Sequence, residues 1–167
     1  GQFQITAGTG GGSGDSGGGS GGDAGDTEAI SITFNPEMNT TWAKSQSTKV
    51  TASGTNLNAS SLKYTWVTAG STAPTESSIR TSFTNGQTIT KSTGTGQFIL
   101  YALAKDTSGN TTIANSSIFY IDNTVPKVTV SPTTGETTKV KITASDDDSG
   151  LSSSNSYQYY FSTSSTS

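Results

Sequence analysis

The chain has 167 residues, of which 29% are hydrophobic and 13% are charged, and its formal net charge is −3 at pH 7. It contains no cysteine and no histidine, which excludes disulfides, thiolate nucleophiles, imidazole bases and the usual zinc ligand sets. The acidic balance and the scattered basic residues argue against a nucleic-acid partner, and no apolar run approaches the roughly 18 residues that would predict insertion into a membrane.

The first 26 residues divide into two parts. In residues 1–6, Phe3 and Ile5 alternate with polar neighbours, which predicts the end of an upstream element or a strand donated to a neighbour. Residues 7–26 are almost wholly Gly, Ser and Asp. Such a segment cannot bury enough apolar area to offset its backbone entropy, so we expect a flexible linker.

From residue 27 to residue 125 the chain consists of short alternating runs broken by turn residues, a pattern that predicts an all-β, antiparallel β-sandwich. Strands are expected at Ala29–Asn35, Thr48–Ser53, Ser61–Thr68, Ile79–Phe83, Gln87–Lys91, Gln97–Asp106 and Thr112–Asp122. Seven strands in about 95 residues fit the immunoglobulin-like arrangement.

The alternation also predicts which side chains face the core. Leu62, Tyr64 and Trp66 should point inward, because residues two apart lie on the same face of a sheet. The run Gln97–Asp106 is apolar on both faces, which predicts a central strand. Trp42 lies outside the clean alternation. Packing at the edge of the core is favoured for it over stacking on a sugar ring.

An internal repeat indicates that a second domain begins near residue 126. The matching segments are Ile32–Pro36 with Val128–Pro132, Lys49–Ser53 with Lys141–Ser145, and Leu62, Tyr64 and Trp66 with Tyr157, Tyr159 and Phe161. Residues 126–167 are therefore expected to be the first three strands of a second, incomplete immunoglobulin-like repeat. A half-sandwich lacks its opposing sheet. We expect the protein to continue beyond Ser167, or a partner chain to supply the missing strands. The exposed strand edges could also pair with another copy, so an oligomer is a further alternative.

Three segments carry a resemblance to a known family: Tyr101–Asn110 with its Asp-Thr-Ser-Gly-Asn turn, Tyr120–Pro126 with Asp-Asn-Thr-Val-Pro, and Ala144–Leu151 with Asp-Asp-Asp-Ser-Gly. Together they resemble the bacterial immunoglobulin-like repeats of large surface and secreted proteins. The resemblance implies that the first element is the turn between the last two strands of a domain and that the second closes one domain and opens the next. The turn also has a physical account. Asp106 can accept hydrogen bonds from amides two or three residues on, and Gly109 can supply a positive φ.

Carboxylates are concentrated where the two repeats meet. Asp122 and Asn123 at the junction, with Asp146, Asp147 and Asp148, are candidate ligands for calcium, which prefers six to eight oxygen ligands. A solvated turn accounts for the same residues. A glycosidase pair is not expected, because three adjacent turn residues on a narrow sandwich form no substrate cleft. No cofactor other than calcium is indicated, and we predict that the chain is not an enzyme.

The sequence thus predicts a structural or adhesive module of a bacterial cell-surface or secreted protein. Each sandwich would act as a spacer, and a protein or glycan partner would contact the loops, besides the neighbouring domains of the same polypeptide. Two alternatives stay open: a virion structural or decoration protein of a phage, and an accessory domain of a secreted polysaccharide-active enzyme.

Overall fold

The computed structural model describes residues 29–131, 139–154 and 157–162. The predicted upstream element at residues 1–6 and the predicted linker at residues 7–26 lie outside these residues. Within them the fold is nearly all β, with two sheets packed face to face, so the predicted all-β sandwich is confirmed.

The first unit has eight strands in two sheets. A three-stranded antiparallel sheet has the order β1 (Ser31–Asn35), β3 (Gln46–Ser53) and β6 (Thr88–Lys91). A five-stranded sheet has the order β2 (Asn39–Ala43), β8 (Thr111–Ile121), β7 (Gly96–Asp106), β4 (Leu57–Thr68) and β5 (Thr81–Ser82). All neighbours in this second sheet are antiparallel except β2, which runs parallel to β8.

The core lies between the two sheets. Val50 and Ala52 of β3 and Ile89 of β6 pack against the inner face of the five-stranded sheet, which presents Leu62 and Leu100. The inward direction predicted for Leu62, Tyr64 and Trp66 is confirmed, since Leu62 is buried and the two aromatic rings are half-buried against the same cluster. The ring of Trp66 also meets that of Phe119 edge to face, with centroids 5.5 Å apart.

Strand β7 is the central strand that its two-sided apolar pattern predicts. It pairs with β4 on one side and with β8 on the other. Leu100 and Ala102 are fully buried on its inner face, and Leu103 is buried on its outer face. Strand β7 therefore has neighbours on both edges and buried side chains on both faces.

The seven predicted strands are present, with altered ends. The predicted strand Ile79–Phe83 shortens to Thr81–Ser82, because Glu76–Ser78 forms a 3₁₀ turn that leads into a buried Ile79.

One strand, β2, was not predicted. Strand β2 pairs with β8 only at Asn39 and Ala43, with an irregularity between them. Such irregular pairing does not require a two-residue alternation of apolar and polar side chains, and the sequence of β2 shows little of it. It places Trp42 half-buried against Tyr120, with ring centroids 4.9 Å apart.

The second unit begins with an antiparallel pair, β9 (Lys127–Ser131) and β10 (Lys141–Ser145). At the positions of the internal repeat, β9 pairs with β10 in the same register in which β1 pairs with β3. Ile32 pairs with Ala52 in the first unit, and the equivalent Val128 pairs with Ala144 in the second. The internal repeat is therefore present in the pairing of the strands as well as in the sequence.

The structure differs from the prediction of a third strand in the second unit. Residues 157–162 carry no strand, and Tyr157, Tyr159 and Phe161 are 66–82% exposed. A strand requires a hydrogen-bonded neighbour. In the first unit the equivalent segment of β4 has β7 and β5 beside it, whereas β9 and β10 pair only with each other in the part of the chain that the structure describes.

Candidate functional site at the junction of the two units

The junction begins where β8 ends, and Asp122 is its central residue. The amide of Asp122 donates to the carbonyl of Ala43 at 2.9 Å, which fixes the backbone beside the end of β2. Its carboxylate Oδ1 accepts from the amide of Thr124 at 2.8 Å, and Oδ2 accepts from the amide of Ser149 at 3.1 Å. Ser149 belongs to the turn after β10. The carboxylate of Asp122 therefore joins the first unit to the second.

The hydrogen bonds to Asp122 favour its charged form. A hydrogen bond from the Ser149 side chain is the largest cause that lowers the pKa of the Asp122 carboxyl below its ordinary value. The backbone amides of Thr124 and Ser149 lower it further, although burial acts in the opposite direction. A carboxylate that accepts backbone amides is more acidic because those amides stabilise the anion. The link to Ser149 is therefore made by a charged acceptor, and hydrogen bonds of that kind are stronger than neutral ones.

Asn123 faces the first unit. Its Nδ2 donates to the carbonyls of Lys44, Ser92 and Gly94, at 3.2, 3.4 and 3.0 Å. Its backbone amide donates to Oγ1 of Thr95 at 2.9 Å. The side chain therefore ties the β2–β3 loop and the β6–β7 loop to the point where the chain leaves the sandwich.

The aspartate-rich segment after β10 is a hydrogen-bonded turn. Oδ1 of Asp146 accepts from the amides of Asp148 at 3.2 Å and Gly150 at 3.0 Å. Gly150 has φ 75°, a left-handed conformation that glycine adopts without steric cost. Asp147 is exposed and Asp148 is half-buried.

The turn after β7 has the same geometry. Oδ1 of Asp106 accepts from the amides of Ser108 at 2.9 Å and Asn110 at 2.8 Å, again two and four residues on. Gly109 has φ 93°. The acceptor role of Asp106 and the positive φ of Gly109 are confirmed, although the second amide is four residues on and not three. These hydrogen bonds lower the pKa of the Asp106 carboxyl, and that from the Asn110 side chain is first among them.

The structure does not gather the five predicted calcium ligands into one site. No group of three or more acidic residues that could hold a metal ion occurs within residues 29–131, 139–154 and 157–162, a range that includes all four of the aspartates proposed. Asp122 and Asp146 are engaged by backbone amides, while the Asn123 amide nitrogen is directed at carbonyl oxygens of the first unit. What the junction does bring together is Asp122 and Ser149.

Ser149 was not singled out by the sequence. Its backbone amide donates to Asp122, and its side chain helps to lower the pKa of that carboxyl. Every residue other than proline has such an amide and the chain is rich in serine, so neither contact gave a signal. The one cue was its position between the aspartate run and Gly150, where the chain reverses.

No protein-family model, no curated protein and no solved structure matches this chain. Among the described residues, no helix is long and apolar enough to cross a membrane.

Proposed function

We propose that this chain is a non-catalytic, immunoglobulin-like repeat module of a bacterial cell-surface or secreted protein. In this role the sandwich is a spacer whose loops are available to a protein or glycan partner. The hydrogen bond between Asp122 and the Ser149 amide carries the proposal, because a spacer must transmit orientation from one repeat to the next.

The strand order supports the immunoglobulin-like assignment. In that fold the first, second and fifth principal strands form one sheet, and the third, sixth and seventh form the other. Here β1, β3 and β6 share one sheet, whereas β4, β7 and β8 share the other. Strands β2 and β5 extend the second sheet at its two edges. Trp66 on β4 takes the position of the core tryptophan of the third principal strand.

The junction supports the spacer role. Relative motion between neighbouring domains is the default unless specific contacts oppose it. Here Asn123 fixes the point at which the chain leaves the first unit, and Asp122, one residue earlier, accepts a hydrogen bond from the second unit. Of these two adjacent side chains, Asn123 thus binds the first unit and Asp122 binds the second.

Amide hydrogen exchange of the full chain tests this proposal. In the wild type the Ser149 amide should exchange slowly, because Asp122 holds it. The variant D122N replaces one of the two acceptor oxygens with a donor, so we expect faster exchange at Ser149 and unchanged exchange at Leu103 on the central strand β7. D147N is the matched control, because it removes an exposed charge from the same turn.

The control variant should leave Ser149 protected. A Ser149 amide that exchanges at the rate of an unstructured residue in the wild type, or that responds equally to D122N and D147N, would show that the junction is not fixed by Asp122. The spacer role would then have lost its support.

A further inference from the structure

A groove of about 920 Å³ lies on the outer face of the five-stranded sheet. It is bounded by the first half of β4, the 3₁₀ turn Glu76–Ser78 and the end of β7. Its residues are Ser60, Ser61, Lys63, Thr75, Glu76, Ser77, Ile79, Arg80, Leu103 and Lys105. Ile79 and Leu103 are almost fully buried and form an apolar floor, and the remaining side chains are hydroxylic or charged.

A bulge in β4 forms one wall of the groove. The pairing of β4 with β7 shifts register between Asn58 and Lys63, so the strand is longer than its partner at this point. Oγ of Ser61 accepts from the amide of Lys105 at 2.7 Å and donates to the carbonyl of Asn58 at 2.6 Å. A side chain thus replaces the missing backbone partner. Bulges of this kind re-aim side chains and are common next to binding sites.

The charges in the groove are unbalanced. Glu76 is neutralised by Lys105, with 2.5 Å between Nζ and Oε1, and its other oxygen accepts from Oγ1 of Thr111 at 3.0 Å. Lys63 and Arg80 then remain as two cations that make no salt bridge within the described part of the chain. Three of the nine basic residues of an acidic protein meet in this groove.

Arg80 is held in position by its own turn. Its Nε donates to the carbonyl of Ser77 at 2.8 Å, which orients the guanidinium while the side chain stays exposed. The planar end of an arginine matches a carboxylate or a sulfate with two parallel hydrogen bonds. Arg80 therefore presents a fixed donor to an anion, beside the more flexible ammonium of Lys63.

We propose that this groove binds an acidic glycan, a sugar chain that carries carboxylate or sulfate groups. Lys63 and Arg80 would contact the anionic groups, and the hydroxyls of Ser60, Thr75 and Ser77 would exchange hydrogen bonds with sugar hydroxyls.

An acidic peptide fits the groove less well. Extended peptides that bind by strand addition need an open sheet edge. Here β5 already occupies the edge of β4 at Lys63 and Tyr64. The inference names a ligand and a site that the spacer role does not require, so either one stands without the other.

The test is a binding titration of the full chain against four probes at low salt. They are oligogalacturonate for the carboxylate, dextran sulfate for the sulfate, dextran as the neutral glycan and polyaspartate as the acidic peptide. We expect oligogalacturonate, dextran sulfate or both to bind, dextran not to bind, and polyaspartate to bind more weakly. Which of the two anionic glycans binds identifies the group that is recognised. Added salt should weaken binding, because exposed charges are screened.

Two double variants locate the site. K63A/R80A should weaken binding about tenfold, since each exposed ion pair contributes up to about 1 kcal/mol. K49A/K141A is the matched control, because it removes the same charge from exposed positions on β3 and β10. We expect it to bind as the wild type does.

Three results would each overturn the assignment: neither anionic glycan binds, polyaspartate binds as tightly as the glycans do, or both double variants weaken binding equally. Because Lys63 and Arg80 are exposed, K63A/R80A should keep the unfolding midpoint of the wild type. A normal midpoint assigns its loss of binding to the groove.

Discussion

Replacing Asn123 with aspartate tests whether the side-chain N–H donors of this residue stabilise the end of the first unit. Nδ2 of Asn123 is surrounded by three carbonyl oxygens, those of Lys44, Ser92 and Gly94. An aspartate has nearly the same shape but no donor there. N123D would therefore direct a carboxylate oxygen at three acceptors, whereas N123A would only remove the contacts.

The magnitude follows from the number of donors. An amide group has two N–H bonds, so the three contacts amount to two hydrogen bonds, one of them shared. At an exposed side chain each is worth about 0.5–1 kcal/mol, so N123A should lower the free energy of unfolding by about 1–2 kcal/mol. N123D adds the repulsion between the carboxylate and the carbonyls and should cost more. Each kcal/mol corresponds to a decrease in Tm of about 4–8 °C for a domain of this size.

The assay is thermal unfolding of the wild type, N123A and N123D at about pH 7 and again at about pH 3. The carbonyls raise the pKa of the new carboxyl, so its penalty is present at neutral pH and is relieved as the pH falls through that raised value. N123D should be the least stable of the three at pH 7 and should approach N123A at pH 3. If N123D is as stable as the wild type at pH 7, Nδ2 of Asn123 does not face the carbonyls of Lys44, Ser92 and Gly94.

Two further predictions concern a buried hydroxyl and the charge at the junction. Oγ of the buried Ser116 accepts from the amide of Leu100 at 2.9 Å; S116A would leave that amide unpaired at a cost of about 1–3 kcal/mol, measured by urea unfolding. S117A, which alters the neighbouring half-buried serine, should cost less, and equal costs would contradict the role of Ser116. The lowered pKa of Asp122 means that its contribution to stability is present above the unfolded value of about 3.9 and is lost as the pH falls through the lower folded value. The difference in Tm between the wild type and D122N should therefore narrow below about pH 4, and a difference that stays constant with pH would contradict this assignment.

The residues that the sequence placed correctly are those whose position depends on alternation or on local turn chemistry. Leu62 and Trp66 face the core because a two-residue period determines the face, and Asp106 caps its own turn through contacts within four residues. Such features require only neighbouring residues, so the local pattern is sufficient to predict them.

The features that the sequence did not reveal depend on distant partners. Strand β2 is defined by two contacts with β8, and the β4 bulge is visible only against β7. Ser149 is bound through a backbone amide, and Arg80 and Lys63 come together only because β5 folds back on β4. The third strand expected in the second unit also depends on a distant partner. Residues 157–162 alternate as a strand does, but no strand that could pair with them is among the described residues.

The register of β1 with β3 equals that of β9 with β10, so the backbones of the two strand pairs are interchangeable. Strand β9 could align with β3 as well as with β10, because both partners present a Val/Ile-Thr-Ala core at the same spacing. Side-chain volume opposes the exchange. Phe34 of β1 corresponds to the smaller Val130 of β9, so a swapped pair would leave a void under the first sheet. Divergence at Phe34 and Val130 thus helps each newly made repeat to fold on itself and not on its neighbour.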